Sequence, residues 1–173
     1  VKNLRADYFE FLELPRSLNI DPRDLEKRFY ALSRQLHPDL YARKSPAERE
    51  YALEASAILN DAHRALKDPI ARVQYLLKLE GFDIGEQDTK DVPPELLEEI
   101  FELNMQLEEE GGSAAARSRF LELRGEVDAE LESRFAAWDT GHERNTLNEI
   151  RALLNRRKYI TNLIDKTNVP DRV

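Results

Sequence analysis

Cysteine is absent from the 173 residues, which excludes a disulfide framework, a zinc ribbon or finger, a thiolate nucleophile and a dithiol redox pair. Long apolar runs are missing as well. The longest span only a few residues, far short of the roughly 20 that a membrane-spanning helix needs, and the opening Val1-Lys2-Asn3-Leu4-Arg5 carries no apolar signal core. No membrane is expected, and the expected location is cytoplasmic. Positive charge is in short supply: 26 Lys and Arg stand against 34 Asp and Glu, for a net charge of -8. Nucleic-acid binding runs on clustered cations that displace counterions, so no nucleic-acid partner is expected and other proteins become the default.

The shortage of cations is confined to one half. Residues 1–80 carry 14 basic and 13 acidic groups, whereas residues 81–173 carry 12 and 21. Between them lies GFDIGEQDTKDVPP, with two Gly, two Pro and little periodicity, which reads as a linker. The resulting division is 1–81, a linker 82–93, and 94–173.

Alternating β-branched patterns are absent, while helix signals recur on both sides of the linker, so the fold class is all-α. Asp21-Pro22 opens a helix, the Asp oxygen capping free N–H groups and Pro supplying a fixed φ. The stripe Leu25, Phe29, Leu32, Leu36 supplies its core face. Ser45-Pro46-Ala47-Glu48 is a capping box, followed by Ala55, Leu59, Ala62 and Leu66 at helical spacing. Small residues let helix axes approach, so helices 22–36 and 46–67 are expected to pair as an antiparallel hairpin. Asp68-Pro69 ends one helix and caps the next, which presents Val73, Leu76, Leu77 and Leu79 and stops at Gly81. A short helix around 8–14 precedes the hairpin. Beyond the linker, helices over about 94–110, 113–138 and 146–165, broken at Gly111-Gly112 and Thr140-Gly141, predict an antiparallel three-helix bundle.

His37-Pro38-Asp39 falls in the loop joining the paired helices. Pro38 lacks an N–H and disfavours the α region for His37, so the helix breaks and an imidazole and a carboxylate are displayed at a hairpin tip. Taken alone, the tripeptide is also what a plain proline stop with a polar turn would look like. Its setting is more specific. An HPD tip between a basic amphipathic helix and a capped, Ala-rich one resembles the J-domain of the DnaJ superfamily. Asp7-Tyr8-Phe9, Phe29 with Gln35-Leu36-His37-Pro38-Asp39, and LKDPIARVQYLL over 66–77 followed by Gly81-Phe82 are similar to the HscB co-chaperones of iron–sulfur cluster assembly. The helical region after the linker extends that likeness over nearly the whole chain.

The resemblance implies a J-domain that docks on an HscA or DnaK-class ATPase chaperone and speeds its hydrolysis. Its bundle would carry an IscU-type scaffold, in the cytoplasm or, in a eukaryote, the mitochondrial matrix. By that likeness His37, Pro38 and Asp39 form the trigger, and Lys27, Arg28 and Arg34 face an acidic partner surface. In the bundle, Leu96, Ile100, Leu103 and Leu107 make a complete core stripe, yet Leu97, Phe101 and Met105 make another beside it. The extra stripe fits a wide core face or an exposed partner patch. HscB relatives place their scaffold patch there and on the last helix, at positions matching Leu97, Glu98, Phe101 and Tyr159, with Glu98 departing from the usual apolar residue.

His63 and His142 lie in unrelated contexts and suggest packing or capping rather than a metal site. Val127, Leu131, Phe135 and Trp138 read as bundle core. The segment around Leu153-Leu154-Asn155-Arg156-Arg157 superficially resembles part of an all-helical chorismate mutase, but only about twenty residues support this, the other helices would have to supply further cationic ligands, and the upstream bundle is strongly acidic. A phosphate loop, a nucleophile–base pair and a dinucleotide turn are absent. The expectation is a non-enzyme that needs no cofactor or metal. A J-domain co-chaperone serving a different client remains the alternative.

Overall fold

Three helices of the N-terminal half begin the same way, with an oxygen-bearing side chain followed by proline. The Asp21 carboxylate accepts the Arg23 N–H at 2.9 Å and the Asp68 carboxylate accepts that of Ala71 at 2.8 Å. At Ser45 the capping box is complete, since its hydroxyl accepts the Glu48 N–H at 3.2 Å while Glu48 accepts the Ser45 N–H at 3.0 Å. Each such cap contributes about 1 kcal/mol and fixes where a helix starts.

The computed structural model describes residues 1–83, 90–108 and 113–167, and the chain divides into two compact units, Val1–Asp83 and Ile84–Val173. Six residues of the expected linker, 84–89, lie outside the described residues, as do the break at Gly111-Gly112 and Glu109-Glu110. All regular structure among the described residues is helical.

The first unit contains α1 (Tyr8–Phe11), α2 (Pro22–Leu36), a 3₁₀ turn (Pro38–Tyr41), α3 (Pro46–Lys67) and α4 (Pro69–Leu79). Helices α2 and α3 are antiparallel: Phe29 meets His63, and one end further on the Leu36 carbonyl accepts the Ser56 hydroxyl at 2.9 Å. Between them Leu25, Leu32 and Leu36 are buried against the narrow seam of Ala52, Ala55, Leu59, Ala62 and Leu66. Phe9, Phe11 and Leu12 from the α1 end, and Val73, Leu76 and Leu77 from α4, complete this core. Each fully buried Leu or Phe contributes about 1.5–3 kcal/mol.

A buried arginine ties the unit together. Arg72 donates from Nε to the Leu66 carbonyl at 2.8 Å and from Nη1 to the Leu18 carbonyl at 2.7 Å, joining the end of α3 to the loop before α2. Nearby, the Tyr8 N–H donates to the Tyr75 hydroxyl at 2.9 Å beneath stacked rings 4.5 Å apart. Burial pushes the Tyr75 phenol above its ordinary range. Helix α1 is shorter than its sequence suggests because Glu13 turns left-handed at φ 59, with the Leu14 N–H donating back to the Phe9 carbonyl at 2.8 Å. At the end of α4, Gly81 adopts φ +82 as expected.

The second unit consists of α5 (Pro94–Leu107), α6 (Ser113–Gly141) and α7 (Arg144–Thr167), a three-helix bundle. Ion pairs Arg134–Glu149 at 3.1 Å and Arg157–Asp128 at 2.6 Å mark α6 and α7 as antiparallel. Phe120, Leu123, Val127, Leu131, Phe135 and Trp138 are buried on α6, facing Leu147, Ile150, Leu153, Leu154, Ile160, Leu163 and Ile164 on α7. The turn between them differs from the sequence expectation. Helix α6 continues through Thr140 and Gly141, and His142 takes the left-handed position at φ 53. Its N–H donates to the Trp138 carbonyl at 2.8 Å and its ring lies 5.1 Å from the Trp138 ring, so packing against the indole helps hold a non-glycine residue there.

Candidate partner-binding surfaces

The tip of the first unit is built by its proline. With Pro38 next in sequence, His37 leaves the helical region at ψ 128 and ends α2. Pro38 begins the 3₁₀ turn, closed by the Leu40 N–H donating to the His37 carbonyl at 3.0 Å. The Asp39 N–H donates to His37 Nδ1 at 3.2 Å, which leaves Nε2 as the ring's donor. The Asp39 carboxylate lies 3.6 Å from that same Nδ1, with 90% of its side chain accessible, and meets no Lys or Arg among the described residues. An unpaired, exposed carboxylate on a braced turn can accept a bidentate contact from a guanidinium.

The three expected docking cations do not share one environment. Lys27 and Arg34 are exposed and make no ion pair among the described residues. Arg28 is turned inward, its Nε donating to Asp24 at 2.9 Å and its Nη1 to the Glu13 carbonyl, so it braces the left-handed turn behind α1. Sequence reading passed over Arg23 and Tyr30. Both are exposed, and Arg23, Lys27, Tyr30 and Arg34 follow one another at spacings of four, three and four residues. That spacing aligns them along one face of α2, opposite the buried Leu25, Leu32 and Leu36. The helical spacing could have revealed the stripe.

In the bundle, of the four expected core positions on α5 only Ile100 is fully buried; Leu96, Leu103 and Leu107 are half-buried. The neighbouring stripe is open. Phe101 is 66% accessible and Met105 56%, with Leu97 half-buried behind them and Glu98 exposed alongside. Tyr159 on α7 is half-buried. Asn155 donates to the Asp91 carboxylate at 2.8 Å and Arg156 to its carbonyl at 3.3 Å, which holds the start of α5 beside the α7 turn that carries Tyr159. Arg119 bonds Glu99 across α5 and α6 and also meets Glu122 and Glu126. This pairing holds the Glu99 carboxyl below its ordinary range and raises Arg119. Two adjacent exposed large apolar side chains on one helix form the kind of patch that marks an interaction surface.

Neither expected packing histidine joins a ligand set. His63 stacks on Phe29 at 4.0 Å and its Nε2 lies 2.5 Å from Glu26 Oε1. Among the described residues no group of three or more His, Cys, Asp or Glu is arranged to hold a metal ion, and no helix is long and apolar enough to cross a membrane.

A helical hairpin with an HPD tip, followed by a separate bundle with an open apolar stripe, defines a J-domain protein with a C-terminal helical extension. Residues 7–75 match the family described as the DnaJ domain, and residues 92–168 the one described as the HSCB C-terminal oligomerisation domain. The human iron–sulfur cluster co-chaperone protein HscB is 30% identical over 160 residues, covering 92% of this chain and 66% of that protein. The co-chaperone protein HscB homolog of Bordetella petrii is 36% identical over 125 residues, covering 72% of this chain and 69% of its own length. The crystal structure of the human co-chaperone superposes with a TM-score of 0.70 at 29% identity, covering 98% of this chain and 84% of that one. The chain belongs to the HscB family of J-domain co-chaperones.

Proposed function

We propose that this protein stimulates the ATPase of an HscA or DnaK-class chaperone through His37, Pro38 and Asp39, and delivers to it an IscU-type scaffold bound on the bundle. The observation that carries the reading is the Asp39 carboxylate, exposed and with no Lys or Arg beside it among the described residues, on a turn fixed by Pro38. Lys27 and Arg34 meet the acidic surface of the ATPase and speed association, while Arg28 acts indirectly by bracing the base of α2. Leu97, Phe101 and Tyr159 hold the scaffold, with Glu98 at the rim selecting a polar or cationic partner group. The J-domain is assigned to 1–81, the connector to 82–93 and the scaffold-binding bundle to 94–173. Holding scaffold and chaperone on one chain raises the local concentration of the client without any new contact. The iron–sulfur cluster is cargo on the scaffold, and the setting is the cytoplasm or the mitochondrial matrix.

The test is ATP hydrolysis by an HscA-class chaperone, with and without an IscU-type scaffold, in the presence of this protein or its His37→Gln variant. Stimulation that vanishes in the variant and grows with scaffold is the expected result. Stimulation indifferent to scaffold would assign the bundle a different client. In parallel, Leu97→Ala and Phe101→Ala are expected to weaken scaffold binding about tenfold each, as truncation of an anchor does. A second reading of the patch has its own support: the bundle family is described as an oligomerisation domain, and Phe101 and Met105 are free to meet a second copy. Sedimentation of the unmodified chain and Phe101→Ala separates the two, since only self-association predicts a monomer in the variant alone.

A further inference from the structure

Tyr30 is the exception on the face of α2. Its neighbours along the exposed stripe, Arg23, Lys27 and Arg34, are cations without ion-pair partners among the described residues, yet Tyr30 is a large ring left 58% accessible. The ring is not loose. Its edge meets Phe29 at 5.4 Å and 62°, and Phe29 lies stacked on His63 from α3. His63 is held in turn by Glu26, one helical turn before Tyr30. This relay crosses the hairpin, so the ring that Tyr30 rests against is itself held by both helices.

We propose that Tyr30 is the aromatic anchor of the ATPase-docking face, and that its ring enters an apolar pocket rimmed by carboxylates on the chaperone. The inference rests on the docking reading given above and adds the residue that decides how long the complex lasts. Charge complementarity identifies the occupant: cations seven and three residues before the ring and four after it call for an acidic rim, while the exposed ring between them calls for an apolar centre. Rim charges act mainly on association, whereas a ring buried at the centre of an interface acts on dissociation. Tyrosine is enriched at such centres because it buries a large area at small entropic cost, and a ring already braced loses still less freedom on binding.

Binding of the full chain to an HscA-class chaperone in its ATP state, followed by surface plasmon resonance, tests this with Tyr30→Ala, Tyr30→Phe and Lys27→Ala. Tyr30→Ala is expected to raise the dissociation rate about tenfold, with association unchanged within about twofold. Tyr30→Phe keeps the ring and should match the unmodified protein within about twofold on both rates. Lys27→Ala should slow association and flatten its salt dependence. Since Tyr30 is exposed, thermal unfolding of the variants should coincide with that of the parent. Unchanged dissociation in Tyr30→Ala overturns the proposal and leaves the docking reading standing. An effect of Tyr30→Phe as large as that of Tyr30→Ala also overturns it, because the hydroxyl would then carry the contact. Loss of self-association in Tyr30→Ala, with chaperone binding unchanged, would assign the ring to a second copy. Absence of any chaperone binding by the unmodified chain overturns the docking reading and this inference together.

Discussion

Asp39 in the first unit and Phe101 in the second are both open to solvent, at 90% of the side chain and 66% of the residue, but only one of these exposures is unusual. A carboxylate on a hairpin tip is where physical chemistry puts a charge, so its exposure alone says little. What gives it meaning is the braced turn around it and the lack of a Lys or Arg partner among the described residues. A phenylalanine in water, beside an exposed methionine on the same helix face, runs against the tendency to bury apolar area. The first surface is therefore read from residue order, the second from burial.

The largest expected effect sets two phenylalanines of the same bundle against each other. Phe120 is fully buried between α6 and α7, and Phe120→Ala should destabilise the bundle by about 3–5 kcal/mol through lost transfer energy and the cavity left behind. Phe101→Ala should change stability by no more than about 0.5 kcal/mol. Denaturant unfolding of the full chain, followed by far-ultraviolet circular dichroism, measures both. If the two variants lose comparable stability, α5 is a core helix in solution and the open patch does not exist.

Local chemistry explains what could be read ahead of the structure. The starts of α2, α3 and α4 follow from Asp21-Pro22, Ser45-Pro46 and Asp68-Pro69, because a cap and its proline act within one turn and need nothing from the rest of the fold. The HPD tip is legible for the same reason. Helix ends were less so. Gly141 was the natural residue for the turn after α6, yet His142 occupies it, held by contacts with Trp138 that only the packed helix end provides. Arg28 and Arg34 are indistinguishable as letters, but Arg28 reaches Asp24 and the Glu13 carbonyl while Arg34 stands exposed. The block DP..R..YLL marked the family without revealing that its arginine is a buried tie between two backbone carbonyls. On α5 two apolar stripes lay side by side, and only the position of α6 decides which is covered.

Acid should affect the two units unequally. At Asp7 burial favours the neutral form, but the Glu10 N–H and the Arg16 guanidinium outweigh it and hold the carboxyl below its ordinary range. At Glu99 the paired Arg119 has the same effect. A carboxyl whose folded-state pKa lies below its unfolded value contributes its full stability above the unfolded carboxylate range. That contribution is lost as pH falls from about 4 through the folded-state value. Asp7 is the less exposed of the two, so solvent screens it less. Asp7→Asn, which retains a capping oxygen, should flatten the acid limb of the stability curve more than Glu99→Gln does. Urea titrations between about pH 2.5 and 7 would sink this ordering if Glu99→Gln had the larger effect.

The finest test uses one glycine from each unit. An added Cβ would meet nothing within 4 Å at either Gly81 or Gly125, so space cannot distinguish them and only backbone conformation can. Gly125 lies inside α6 without a positive φ. There Gly125→Ala removes unfolded-state freedom and should stabilise by about 0.5–1 kcal/mol. Gly81 ends α4 at φ +82, where a Cβ crowds its own backbone, so Gly81→Ala should destabilise by about 1 kcal/mol. The same chemical change thus acts with opposite sign, and a shared sign in thermal unfolding would mean that one of these helix assignments does not hold in solution. Neither substitution touches a partner surface, so chaperone stimulation and scaffold binding should stay at parental values in both, which separates backbone effects from those of Phe101 and Asp39.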